Sequence, residues 1–425
     1  MRVLMVSLSL PPFAESQTIR SAYMIEAMAQ AGVECELLTA EVVPSQADET
    51  LMDILPPNCR IWRTAPPPYD QRLNSLIQRG NRRFAYFYAN LAYRLLAPDI
   101  RRGWEKQAIA LAESVLPKVR PDVLFSASGS CTAHLACAAI KSRWNLPWIA
   151  DFGDPWSWVD WQHWDTWIKA IQNSRLERRT LPDIDQMVVT TEPTADAYQA
   201  KRGLVHTRPL VVPFGYRAVE FPSKPLQRSS APVQIAYVGS ASRRARNLNP
   251  LIRALSELRH HPCQFRLQIV GSVSHHFLRE AHQSGLKDVE ITGRVSYRDS
   301  LTYIREAGLL VLIGNNSPYQ IPGKTFHYLA SGRPILYLAQ MPSEQDPTAR
   351  LLRAFPGVRM VFNTQEAIHQ FLSSLTSEAF QEWEYHAQTH PNLPELLQYE
   401  IHTAIQPLLD WMSVHLGGHH AARRS

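Results

Sequence analysis

Short apolar runs recur along the chain, each leading into a glycine or a polar turn and then into apolar residues at helical spacing. In the first half the runs fall at residues 3–9, 35–39, 122–126, 147–151 and 186–190. In the second they fall at 233–240, 265–271, 289–295, 309–314, 335–338 and 358–362. Continuous apolar strands joined through helical segments predict parallel sheets buried on both faces. Ligands of such sheets lie beyond the carboxyl ends of the strands. The opening sets the pattern: strand 3–9, a loop over 10–20, a helix over 21–31, Gly32, then strand 35–39. The Pro/Ser-rich stretch 221–232 reads as a linker, after which the strand–glycine–helix pattern restarts. A chain of 425 residues is too long for one compact core. The expected architecture is α/β, with two doubly wound domains at 1–215 and 233–393 joined by a linker at 216–232. An amphipathic helix at 394–416 and a disordered tail at 417–425 complete it.

The stretch 321–335 carries the most chemistry. It follows the buried run 309–314 and a polar loop, 315–320. Pro322 stands where a helix would begin, at a place where its missing N–H costs nothing. Phe326, Leu329 and Ala330 give that helix an inward face, Gly332 ends it, and Pro334 opens the next strand. N–H groups at such a helix start, Gly323–Thr325, can hold a phosphate, and Lys324 adds a cation. Gly323-Lys324-Thr325 is not a P-loop, since Pro318 stands five residues before Gly323 and no glycine-rich turn precedes it.

Net charge is +6 and the pI is near 9.1. This suits an anionic ligand or a membrane surface and falls short of a nucleic-acid binder. The five cysteines (35, 59, 131, 137, 263) show no paired spacing, so neither a metal site nor disulfides are expected. The apolar start is read as a first strand, not a leader, and no apolar run is long enough to span a bilayer. A cytoplasmic protein is expected, free or peripheral on the inner face of the membrane.

Two regions bear on that choice. Within 79–104, Phe84, Phe87, Tyr88, Leu91 and Leu95 share a helical face, with Arg79, Arg82, Arg83, Arg94, Arg101 and Arg102 close by. Such a helix suits an anionic membrane; it could equally pack its apolar face on the sheet. Tryptophans at 156, 158, 161, 164 and 167 then precede Lys169, Arg175, Arg178 and Arg179. They fit sugar stacking, a membrane interface over 156–179, or a packed stripe. Asp151 and Asp154 are delivered to the end of the 147–151 strand, where a carboxylate could orient an acceptor hydroxyl or take its proton. They could also simply fix the turn. His134 sits in an Ala/Leu pattern and reads as a helix-packing residue.

Several of these segments resemble glycosyltransferases of the GT-B fold, family 4. Residues 322–334 are similar to a variant of that family's donor-sugar signature. Asp151-Phe-Gly-Asp-Pro-Trp156 resembles an Asp-Phe-Arg-Asp-Pro-Trp motif, with Gly153 in place of Arg. Residues 209–216 resemble the strand that leads out of the first domain, and 289–295 the family's Phe-x-Gly-x-Val. The resemblance implies two Rossmann-like domains facing a cleft, a terminal helix crossing back to the first domain, and metal-independent, retaining transfer from a nucleotide-diphosphate sugar, with no cofactor. It places Gly239, Ser240, Arg243, Arg246, Gly271, Gly293, Arg294 and Val295 around the donor. Arg243, Arg246 and Lys324 would stabilise the departing diphosphate, whose negative charge grows as the sugar bond breaks. Arg243, Arg244 and Arg246 could instead be a solvated basic loop; one short cluster without an aromatic platform fits nucleic acid poorly.

The family's two donor-site glutamates are absent. Tyr319 and His327 stand at their places, where Tyr319 could meet the sugar and His327 the ribose. The opening loop also lacks the family's glycines, having Ala14 and Ser16, so it is placed near the acceptor with Arg20 and Trp156. Arg20 could hold an anion there or lie on the surface. A lipid-linked or sugar acceptor in surface polysaccharide or glycolipid assembly is the expected partner. Two other readings stay open: a non-catalytic partner protein that has lost its acidic pair, and a sugar-nucleotide epimerase using Asp151 and Asp154.

Overall fold

The computed structural model describes all residues except 159–165, 202, 222–231, 243–245, 287 and 423–425, with the backbone alone described at 275 and 417–422. The chain divides into two compact units. One comprises Met1–Phe214 with Ala404–Ser425, the other Gly215–Thr403.

The first unit holds a seven-stranded sheet. Its strands are β1 (Arg2–Val6), β2 (Glu34–Ala40), β3 (Arg60–Thr64), β4 (Val123–Ser128), β5 (Trp148–Phe152), β6 (Gln186–Val189) and β7 (Leu210–Val211). They run parallel in the order β3-β2-β1-β4-β5-β6-β7, with Met5 opposite Leu37 on one side and Phe125 on the other. The helices used below are α1 (Ser16–Gln30), α2 (Pro68–Gln78), α3 (Arg82–Leu95), α4 (Trp104–Val119), α5 (Thr132–Trp144) and α6 (Trp167–Thr180). Trp104, Trp148, Phe152 and Trp156 fill the core on one face of this sheet.

The sequence pattern missed β3 because arginines flank its only two apolar residues, Ile61 and Trp62. That composition suits its place at the sheet edge, where charge discourages pairing with another chain. Helix α1 starts before the 21–31 span expected for it. Gln17, Thr18 and Arg20 are buried on its inward side, and polar residues turned inward erase the amphipathic signal there.

The second unit holds six parallel strands: β8 (Val233–Val238), β9 (Phe265–Val270), β10 (Val289–Gly293), β11 (Leu309–Ile313), β12 (Ile335–Ala339) and β13 (Val358–Phe362). Their order is β10-β9-β8-β11-β12-β13. Strand order reverses direction between β1 and β4 in one unit and between β8 and β11 in the other. Those reversals are where doubly wound sheets open a crevice for ligands.

The single helix expected over 394–416 is three: Pro394–Leu397, Ile401–Ala404 and Gln406–Ala422. The break has a backbone cause. The Tyr216 N–H bonds the Tyr399 carbonyl at 3.2 Å and the Ile401 N–H bonds the Tyr216 carbonyl at 3.0 Å, so these groups cannot continue a helix. The last helix runs on through Ala422, past the 416 end and into the span expected to be disordered.

Candidate active site

In the second unit, β8 ends at Val238, directly before Gly239, and β11 is followed by a loop and the seven-residue helix Lys324–Ala330. Two contacts tie this helix to β8. The Val238 N–H donates to the Tyr328 hydroxyl at 3.0 Å, and the Lys324 ammonium donates to the Val238 carbonyl. Gly239 makes this possible. It adopts φ +143°, and a Cβ there would occupy the place of the Lys324 Nζ. Gly271, at the end of neighbouring β9, has φ +133°, and a Cβ on it would strike the Gly239 carbonyl. Backbone thus approaches backbone around the lysine without intervening side chains.

Burial, with the Arg246 charge as a second cause, pulls the Lys324 pKa down to about 7. Arg246 donates to Asn315 Oδ1 at 3.4 Å, which brings the β8 and β11 loops together. The Tyr237 hydroxyl, its pKa raised by burial to about 12, donates to the Ser240 carbonyl at 2.8 Å. Gly239, Ser240, Arg246 and Lys324 are therefore assembled at one switch point, together with Asn315, which sequence reasoning passed over. An asparagine in the loop right after β11 was the available signal. Arg243 and Arg244 lie outside the described residues.

Other donor candidates are placed differently. Gly293 ends edge strand β10 and its carbonyl accepts the Gly271 N–H at 2.8 Å, with Arg294 exposed and Val295 half-buried beyond it. Tyr319 is half-buried in the β11 loop, its N–H 3.4 Å from Ser317 Oγ. Thr325 is a correction: its hydroxyl is enclosed and its N–H bonds the Pro322 carbonyl at 2.9 Å, so it turns inward. His327 is buried between the rings of Phe221 and Tyr297, at 5.9 and 6.1 Å. Burial takes its pKa down to about 4, which leaves a neutral imidazole where the resembled signature carries a carboxylate.

The first unit corrects three expectations. Arg20 is neither an open anion site nor a surface residue. It is fully buried against Asp151, with Nη2 2.7 Å from Oδ1 and Nε 3.1 Å from Oδ2, and it also reaches the Pro213 carbonyl at 2.7 Å. Gln17 donates to the same carboxylate at 2.9 Å. With no exposed surface and these donors around it, Asp151 fixes α1 to β5 and does not meet an acceptor. Trp156 is also in the core, its ring N–H on Asn173 at 3.0 Å and its backbone N–H on the Tyr198 hydroxyl at 3.0 Å. Gly153, where the resembled motif carries Arg, sits against the Gln17 amide, and a Cβ there would displace the group that donates to Asp151. Asp154 alone of the pair is exposed.

His134 packs as read: its Nδ1 is 2.7 Å from Ser126 Oγ, it stacks on Phe152 at 4.3 Å, and burial lowers its pKa to about 3. The switch point between β1 and β4 instead holds Ser9 and Glu15. Ser9 donates to the Glu15 carboxylate, and burial raises the pKa of that carboxyl against the opposing Arg101 charge. A glutamate directly before α1 at the end of the β1 loop was the missed signal. Trp161 and Trp164 lie outside the described residues. Among the described residues no group of His, Cys, Asp and Glu is arranged to hold a metal ion, and no helix is long and apolar enough to cross a membrane.

Two family models match the chain: a glycosyl transferase 4-like domain over residues 17–215 and glycosyl transferases group 1 over 232–360. Together with the paired parallel-sheet units they show that the chain belongs to the family 4-like glycosyltransferases of the GT-B fold. No curated protein matches it by sequence. Similar solved structures include the sucrose-phosphate synthase of Thermosynechococcus elongatus, at 15% identity and a TM-score of 0.64, covering 100% of this chain and 98% of that one. WaaG, a glycosyltransferase involved in lipopolysaccharide biosynthesis, matches at 12% and 0.61, covering 96% and 99%. The UDP-GlcNAc 2-epimerase of Neisseria meningitidis bound to UDP-GlcNAc matches at 13% and 0.59, covering 96% and 99%. At these identities the likeness is one of fold.

Proposed function

We propose that the protein transfers a sugar from a nucleotide-diphosphate donor to an acceptor hydroxyl, without a metal and with retention at the sugar carbon. The observation that carries this reading is the Lys324 ammonium, seated in the space beside Gly239 at the β8/β11 switch point with Arg246 nearby. As the bond between sugar carbon and diphosphate oxygen breaks, its electron pair leaves with the diphosphate. Lys324 and Arg246 meet the growing charge, and fixed cations do so without reorganising solvent. The acceptor oxygen bonds the sugar carbon and its proton passes to the leaving phosphate or to solvent. Surface polysaccharide or glycolipid assembly is the proposed setting, in line with the WaaG-like fold.

The test is thermal unfolding with the diphosphates of uridine, guanosine, thymidine and adenosine. A nucleotide at about a hundredfold over its Kd adds roughly 2.7 kcal/mol to the folded state. At about 2–4 °C per kcal/mol for a unit of this size, one nucleotide is expected to raise the melt of the unit that binds it by roughly 5–11 °C, and Lys324→Ala or Arg246→Ala should abolish the shift. If none moves the melt of the folded protein, transfer is excluded, and the missing carboxylates at Tyr319 and His327 point to a non-catalytic partner protein. Conversion of the nucleotide sugar without acceptor would point to an epimerase.

A further inference from the structure

The apolar stripe of α3 does not pack on the sheet. Its inner side is Ala85 and Ala92, with Tyr88 stacked on Tyr69 of α2 at 5.6 Å. Phe84 (62% exposed), Phe87 (62%), Leu91 and Leu95 face outward, three to four residues apart and so on one side of the helix. The amino end of α6 is tied to the last turn of α3: Thr166 Oγ1 donates to the Arg94 carbonyl at 3.1 Å and Lys169 Nζ to the Tyr93 carbonyl at 2.8 Å. This adds Trp167 (73% exposed), Ile168 and Ile171 to the exposed apolar residues. An apolar surface of this kind on a folded unit marks an interaction site.

Its charge identifies the partner. Arg83 and Arg94 flank the α3 stripe, and Arg79, Arg82, Arg175, Arg178 and Arg179 are exposed on or beside the same helices. The carboxylates of α2, α3 and α6 are Asp70 and Glu177, both buried, Asp70 against Arg101 and Glu177 with Lys201, Tyr198 and Ser157. No exposed carboxylate offsets the arginines on these helices among the described residues. A second copy docked on this face would bring arginine against arginine.

We propose that the α2–α3–α6 face docks on an anionic lipid bilayer, with the rings of Phe84, Phe87 and Trp167 entering the headgroup–acyl boundary and the arginines meeting lipid phosphates. Aromatic residues at that depth and basic residues at its rim are the two contributions from which peripheral helices bind. The bilayer would thereby present a lipid-linked acceptor to the first unit.

The test is flotation of the full chain with phosphatidylcholine vesicles, with and without phosphatidylglycerol, together with light scattering of the protein alone. Binding is expected only with phosphatidylglycerol, weakening as salt rises. F84S with F87S should weaken it roughly tenfold or more. R83E with R94E, which leaves the apolar stripe intact, should remove the preference for anionic vesicles. All four side chains are exposed, so the melt should be unchanged; if the serine variant unfolds, the arginine variant alone decides. Equal partitioning onto both vesicle types, no binding, or a dimer that either variant dissociates would overturn the proposal. Vesicle binding is read without donor or acceptor, so its failure leaves glycosyl transfer untouched.

Discussion

An ammonium group whose pKa has been brought to about 7 by burial and a neighbouring guanidinium is a receptor that charges as its ligand arrives. At neutral pH Lys324 of the unliganded site is near half protonated. A diphosphate beside it favours the ammonium and raises that pKa, so binding takes up a proton. The sign fixes the pH dependence: below about pH 6 the lysine is already charged and adds no further dependence. Above pH 7 each unit costs up to about tenfold in affinity until the liganded pKa is reached. At pH 8 the free site is mostly neutral and a nucleoside diphosphate fully ionised, so calorimetry in buffers of different ionisation enthalpy should report uptake approaching one proton. Lys324→Gln should show none. Uptake in that variant would place the titrating group elsewhere. His327, held neutral down to about pH 4, should leave no inflection near pH 6.5.

At the level of elements, the Arg20–Asp151 pair joins α1 to β5 inside the first unit and illustrates what the sequence could and could not convey. Removing one partner of a buried pair leaves an uncompensated charge, at a cost of about 3–5 kcal/mol. Asp151→Ala should lower stability by that order, while Arg20→Met with Asp151→Ala should recover much of it. Denaturant melts of the single and double variants measure both. A catalytic carboxylate would instead lose activity with stability intact. The strands and the 321–335 unit were readable because buried parallel strands announce themselves as apolar runs, and a Pro–helix–Gly–Pro order punctuates the backbone. Arg20, Asp151 and Trp156 were misread because a polar or aromatic residue near a strand end looks the same whether it faces solvent or a partner. Arg20 finds Asp151 far away in sequence, and no local pattern reports that. Glu15 and Asn315 were missed for the converse reason: single polar loop residues acquire meaning only when the strand order places their loops at a reversal.

On the scale of the whole molecule, the chain completes one sheet unit, builds a second over Gly215–Thr403, and then gives its last segment to the first. In that segment Leu408, Met412 and Leu416 are buried, and at about 1.5–3 kcal/mol for each fully buried side chain they contribute roughly 5–9 kcal/mol. That is comparable to the entire stability of an ordinary domain. The second unit has its own core, from Ile235 on β8 through Trp383, and contains Gly239, Arg246 and Lys324. Truncation after Thr403 should therefore act unequally. The transition of the first unit should fall by 10 °C or more, on the order expected for losses of this size. The transition of the second should persist and still rise with the selected nucleotide. Calorimetric scans of full-length and truncated chains, each with and without that nucleotide, resolve the two. If truncation instead lowers the nucleotide-sensitive transition, the terminal helix supports the donor unit, and the donor site depends on residues far beyond the strands that frame it.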